Sequence, residues 1–219
     1  MFLPLLLFAL QAQNSLPKDA AGWYTLGLKY AQAGDFELAE PAFAEACRLD
    51  RRYPDACYSL GRVRYLLNRF AEAIGPLEQS LANGEPAGRA TLALAQAREG
   101  LDQAAPAEAL FRKAISLSAT DAELRYAMFL LRQGRVEESV AMALKAVERT
   151  PRSALALTEL ARAELQAHQI ASAQAHLEQA LKIDPKFGQA HLLLSRVYHR
   201  LGDPEKAARH LKAATAVRP

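Results

Sequence analysis

The chain of 219 residues is 51% hydrophobic and 23% charged, with a formal net charge of +3 and two cysteines. Such a balance excludes extended disorder. With so small a cationic excess and no polybasic tract, nucleic acid is not an expected partner.

Residues 1–16 open on the apolar run Phe2 to Leu10, followed by the polar stretch Gln11 to Ser15. The run is far shorter than the roughly 20 apolar residues of a bilayer-spanning helix, so no transmembrane span is expected. Its length suits the apolar region of a cleaved export signal, with Ala12 as the small residue before the cut. Against that reading, no Lys or Arg precedes the run, and an apolar N-terminal helix packed on the fold is the alternative. No cysteine follows it, so a lipoprotein anchor is not indicated.

From Ala20 onward the chain repeats itself. Units begin at Ala20, Pro54, Gly88, Thr120, Ala154 and Gly188, at spacings of 34, 34, 32, 34 and 34 residues. Position 7 of each unit is Leu26, Leu60, Leu94, Tyr126, Leu160 or Leu194, and position 8 is always small: Gly27, Gly61, Ala95, Ala127, Ala161, Ser195. Position 20 is small as well (Ala39, Ala73, Ala107, Ser139, Ala173, Ala207), as is position 27 (Ala46, Ser80, Ala114, Ala146, Ala180, Ala214). A period in this range marks a stack of supersecondary units.

Positions 4, 7, 8 and 11 form one stripe at the helical period, and positions 20, 24 and 27 form a second after a break. Two helices per unit are therefore predicted, meeting where both carry small residues. Position 24 fills the space between them with Phe43, Leu77, Phe111, Leu177 and Leu211, Ala143 being the exception. Gly34-Asp35, Asn68-Arg69, Gly134-Arg135 and Gly202-Asp203 read as turns in which a left-handed residue ends the first helix. Pro151, Pro185 and Pro219 stop second helices; Pro106 and Pro204 fall in first turns, where proline is tolerated. Pro41 and Gly75-Pro76 fall inside second helices and are expected to kink them.

These residues resemble the tetratricopeptide repeat family over Ala20 to Pro219. The first unit carries the signature most fully, in Trp23, Leu26, Gly27, Tyr30, Gly34, Asp35, Phe36, Ala39, Phe43 and Ala46. The fold expected is all-α: a right-handed superhelical solenoid of antiparallel helix pairs, in units 20–53, 54–87, 88–119, 120–153, 154–187 and 188–219 of a single solenoid domain. Unit three departs from the pattern, lacking the usual glycine and running two residues short at Ser118-Ala119-Thr120.

Catalytic chemistry is not in evidence: the sequence has no Gly-rich phosphate loop and no GxGxxG after a strand. Neither an enzyme nor a cofactor is expected. His168 falls at a turn and His176 on a second helix; the spacings of His191, His199 and His210 do not match the i, i+4 geometry of two metal ligands on one helix face, so packing or exposed roles are expected and no metal. Glu137 and Glu138 sit at a helix start, where carboxylates complement the dipole. Cys47 and Cys57 lie about one turn either side of a loop between helices. In an oxidising compartment they form a disulfide if their Cα atoms fall within about 7 Å; otherwise they are two small buried apolar residues.

The family resemblance implies that positions 5, 9 and 12 of each first helix, with 2 and 13, line a concave groove that grips a partner. Here those places give Tyr24, Leu28, Tyr58, Arg62, Tyr65, Leu92, Gln96, Leu124, Met128, Leu131, Arg162, Leu165, Arg196, His199 and Arg200. Tyrosine and arginine are enriched at binding hot spots. The carboxylate clamp by which some members bind chaperone tails is absent, since its places hold Tyr24, Leu28, Ser59, Arg89 and Ala93. The expected function is a protein-interaction scaffold, exported in a bacterium, that holds a peptide or amphipathic helix of apolar and partly acidic character in an envelope or assembly role. A cytosolic adaptor is the alternative. On the last helix Leu211, Ala214 and Val217 form an apolar strip, from which weak self-association is expected.

Overall fold

A computed structural model describes residues 16–53, 55–82 and 87–216; the expected export segment before Leu16 lies outside them. The described residues form twelve helices and no strand. In the first compact unit, which ends at Thr120, these are α1 (Ala20–Ala33), α2 (Phe36–Leu49), α3 (Ala56–Leu66), α4 (Phe70–Ala82), α5 (Ala87–Gly100) and α6 (Ala104–Ser116). In the second, which begins at Asp121, they are α7 (Ala122–Arg132), α8 (Val136–Arg149), α9 (Ala154–Gln166), α10 (Ile170–Ile183), α11 (Gly188–Arg200) and α12 (Pro204–Ala216). The division falls at the two-residue-short junction of the repeat pattern.

Within each unit, odd and even helices pair as hairpins, and each hairpin stacks on the next: α1 with α2, α3 with α4 and α5 with α6 in the first, α7 with α8, α9 with α10 and α11 with α12 in the second. First helices also meet first helices, α3 against α5 in one unit and α9 against both α7 and α11 in the other. Each unit thus has an inner layer of odd-numbered helices backed by even-numbered ones. Among the described residues, no helix is long and apolar enough to cross a membrane.

The turn between the helices of a hairpin is built the same way six times. Gly34, Asn68, Asp102, Gly134, His168 and Gly202, all at repeat position 15, adopt positive φ. In each case the residue donates its amide three residues back and its successor donates five back, as in Gly34 to Ala31 and Asp35 to Tyr30, or Asp102 to Glu99 and Gln103 to Arg98. This double bond satisfies carbonyls that the helix end leaves open. Unit three therefore keeps the turn without its glycine, Asp102 taking the left-handed place. At the other ends, Asp19 caps α1 through Gly22 (2.8 Å) and Ser153 caps α9 through Ala156 (3.1 Å). Pro41 and Pro76 stand inside α2 and α4, which continue past them with one backbone donor fewer.

Small residues sit where the helices touch. A Cβ on Gly27 would come within 2.7 Å of the Phe43 ring, and one on Gly61 within 2.5 Å of Leu77 Cγ. Both fall well inside the closest approach real side chains make, so glycine at position 8 goes with bulk at position 24. Where position 24 is Ala143, it packs with Ala127 and Leu160, and Val140 and Met142 fill in beside them. Ser139, standing where other units have alanine, donates its hydroxyl to the Ala127 carbonyl (2.8 Å) and so costs little when buried.

Candidate functional site

The inner layers carry the predicted groove residues, and the structure sorts them into three groups. The first is core. Leu124 packs with Ala146 and Ala156 at 4% exposure, and Leu92 and Leu131 are buried too. These three are corrected to packing positions: first helices press directly on their neighbours in the layer, which covers part of the face the helical wheel leaves open.

The second group is satisfied by its own neighbours. Arg62 donates to Gln96 Oε1 (2.9 Å) and its guanidinium lies 5.3 Å from the centre of the Tyr65 ring. Gln96 is buried by this contact, so it too is corrected, from a groove contact to a partner of Arg62. Arg89 lies over the Tyr58 ring at 4.1 Å and pairs with Asp55. Both pairs join the same repeat position one unit apart, 9 to 9 and 2 to 2. Tyr24 is half-buried against Phe43 and Tyr53 (ring centroids 5.6 and 5.3 Å). In the second unit Arg162 turns back to Glu159 on its own helix (3.0 Å), while Met128 and Leu165 are half-buried.

The third group is exposed. Leu28 stands out from α1, and Arg196, His199 and Arg200 stand out from α11. None of the three α11 side chains makes a hydrogen bond or ion pair among the described residues. Leu192, one turn before Arg196 and 39% exposed, completes a stripe at i, i+4, i+7 and i+8. Sequence reasoning passed over Leu192, although it occupies position 5, and Leu66 of α3, exposed at position 13.

Behind these faces lie buried charges. Glu40 accepts from Arg64 (2.9 Å) and pairs with Arg69. Glu123 is held by Arg149, and Glu164 accepts from His176 Nδ1 (2.8 Å). Each links a first helix to a second one, and each carboxylate is compensated, as burial requires. Among the described residues no three His, Cys, Asp or Glu side chains gather as a metal site.

Cys47 at the end of α2 and Cys57 in the first turn of α3 are joined by a disulfide, with Cα atoms 5.0 Å apart. At the far end of the second unit His191 and His210 meet across α11 and α12, their Nδ1 atoms 2.9 Å apart. Tyr198 stacks on His210 (centroids 5.5 Å, interplanar 14°) and donates its hydroxyl to Glu178 (3.1 Å). Burial, then the bond to Glu178, holds the Tyr198 hydroxyl above its ordinary value. Lys206 lies 5.1 Å from the same ring and pairs with Asp203 (2.9 Å), each raising or lowering the other in the sense that favours both charges.

Comparison with known proteins agrees with this architecture. Two family models, both described as tetratricopeptide repeat, match residues 3–56 and 24–88 in one case and 164–219 in the other. Cellulose synthase operon protein C of Xanthomonas axonopodis pv. citri (strain 306) is 30% identical over 243 residues, a match that covers 87% of this chain and 16% of that protein. The chain thus spans a small part of that relative. A solved structure of the Cut9–Hcn1 hetero-tetramer of the APC/C aligns with a TM-score of 0.78 at 16% identity, over 99% of this chain and 43% of the other. PilW, a type IV pilus biogenesis factor, aligns at 0.77 and 18% identity over 92% of this chain and 94% of its own. With the helix pairs, the six like turns and the family matches together, the chain belongs to the tetratricopeptide repeat family, whose repeats serve as protein-interaction scaffolds.

Proposed function

We propose that this chain holds another protein through the inner layers of its helices and does no chemistry on it. The observation that carries this reading is the stripe on α11, where Leu192, Arg196, His199 and Arg200 face outward unpaired among the described residues. Two guanidinium groups one turn apart beside a leucine match an amphipathic helix or peptide that sets carboxylates at i and i+4 next to apolar side chains. The exposed Leu28 and Leu66 and half-buried Tyr24, Tyr58 and Tyr65 of the first unit offer a more apolar, aromatic surface.

An assembly role in the bacterial envelope is supported by the likeness to a cellulose synthase operon protein and by the Cys47–Cys57 disulfide, a bond that persists in oxidising compartments. A cytosolic adaptor is the competing reading. Self-association through the C-terminal helix belongs to the same proposal, Leu211 of α12 being 48% exposed.

The test uses a labelled amphipathic peptide with leucines on one face and glutamates at i, i+4, beside a twin with lysines in their place, titrated against the whole chain by fluorescence anisotropy. The acidic peptide is expected to bind, and Arg196→Glu with Arg200→Glu to weaken it roughly tenfold and favour the lysine twin. Equal binding of both peptides by the native chain, or no reversal in the variant, overturns the reading.

A further inference from the structure

The contact between His191 and His210 has a hydrogen-bond arithmetic of its own. His191 Nε2 lies 3.0 Å from the Pro185 carbonyl oxygen, which can only accept. His191 therefore carries a proton on Nε2, leaving Nδ1 as a lone pair in the neutral ring. That lone pair faces His210 Nδ1 at 2.9 Å, so His210 is the donor, with its own Nε2 free to take a proton. One added proton fits: it goes to His210 Nε2, and His210 still donates to His191. A second has only His191 Nδ1 to occupy, where it would point at the N–H of His210. The contact then sets one donor against another and two positive charges side by side.

We propose that the His191–His210 pair is a proton-sensitive latch that fastens α12 to α11, closed while the pair holds no more than one added proton and opened by the second. The groups around it set the direction. Burial, then the positive charge of a protonated His191 and that of Arg209, push His210 below its ordinary value, while Glu178 on α10 pulls the other way. On α11 the Tyr198 ring covers His210. On α12 itself Lys206 is neutralised by Asp203, leaving Arg209 as the nearby cation. In the loop before α11, Asp184 turns its carboxylate to the Lys186 amide (2.9 Å) and Pro185 supplies the carbonyl.

The sign follows. The folded latch binds fewer protons than the unfolded chain in mild acid, so its contribution is complete at neutral pH and is lost as pH falls through the histidine range. The helix packs along α11 yet buries little side-chain surface, Ala207 being its one buried residue among those described. Opening the latch should free this helix first and uncover the face of α11 beneath it.

The experiment is a pH titration of the whole chain with nitrogen-15-labelled histidine side chains. The pair is expected to take up its two protons in two separate steps, and α12 amides to exchange faster across the second step while those of α9 do not. His210→Gln should collapse the two steps to one and flatten the pH dependence of α12 exchange. Two histidines titrating independently in the native chain, or α12 exchange that ignores the second step, would overturn the latch. The native-chain titration decides the matter even if the variant does not fold.

Discussion

Three arginines occupy the same place in the repeat, position 9 of a first helix, and meet three fates. In the first unit Arg62 reaches one repeat onward to Gln96. In the second, Arg162 folds back onto Glu159, and Arg196 has no partner among the described residues. The cause lies in the neighbour. One repeat beyond Arg62 stands an amide that can accept; one repeat beyond Arg162 stands Arg196, a like charge that can only repel. The first unit therefore consumes its inner-face polarity in ladder contacts between helices, and the second leaves cations for something else. A repeat fixes where a side chain stands, and the next repeat decides whether it is free.

The largest expected effects ask whether the two units are as alike in their cores as they are unlike on their faces. Leu77 and Leu177 share position 24 and are both fully buried. Leu77→Ala and Leu177→Ala should each cost about 2–5 kcal/mol from lost burial and a residual cavity. Urea denaturation followed by both circular dichroism and Trp23 fluorescence checks this, because Trp23 is the only tryptophan and reports on α1. Costs that differ severalfold between the two variants would end the equivalence of the cores.

The disulfide is a feature the second unit does not share. It closes a sequence separation of 10 residues, for which the chain-entropy account gives roughly 2–3 kcal/mol. Replacing both cysteines by serine should lower stability by about that amount, adding a small penalty for two buried hydroxyls. Thiol trapping of the protein as it leaves the cell should find no free thiol if the chain resides in an oxidising compartment. Trapping both thiols there would favour the cytosolic reading instead.

Most of the helix pairing was legible because packing leaves a periodic trace. Gly27, Ala39 and Phe43 report one helix contact three ways, and the five like copies remove the ambiguity. The turn at His168 was legible from its place in the sequence, but the one at Asp102 was not, since a left-handed aspartate has no signature when glycine is the residue looked for. The face was only partly legible. A helical wheel says which way Leu124 and Gln96 point, but not that the adjacent first helix covers them, which depends on interhelical distance. What could have been read is the ladder: Asp55 and Arg89, or Arg62 and Gln96, are complementary at one repeat's spacing. The His191–His210 contact, 19 residues apart on two helices, follows no repeat rule and had to be seen.

The smallest effects bear most directly on the arginines. Gln96→Arg in the first unit would copy the arrangement of the second, setting a buried cation against Arg62 where the amide now accepts. It should cost about 1–3 kcal/mol, the loss of a hydrogen bond plus an uncompensated polar group in a covered position. Arg196→Gln performs the reverse exchange, placing an acceptor one repeat beyond Arg162 on an exposed helix face. The gain should be slight, about 0.5 kcal/mol or less, because water already screens Arg196 and Arg162 already has Glu159. Yet the same change removes one of the two guanidinium groups offered to an acidic peptide, so affinity should fall while stability holds or rises. Thermal melts and peptide titrations of the two variants, measured together, separate the effects. If Arg196→Gln weakened the fold as much as Gln96→Arg, then Arg196 would have a structural partner after all, and the contrast between a face that is spent and a face that is free would be gone.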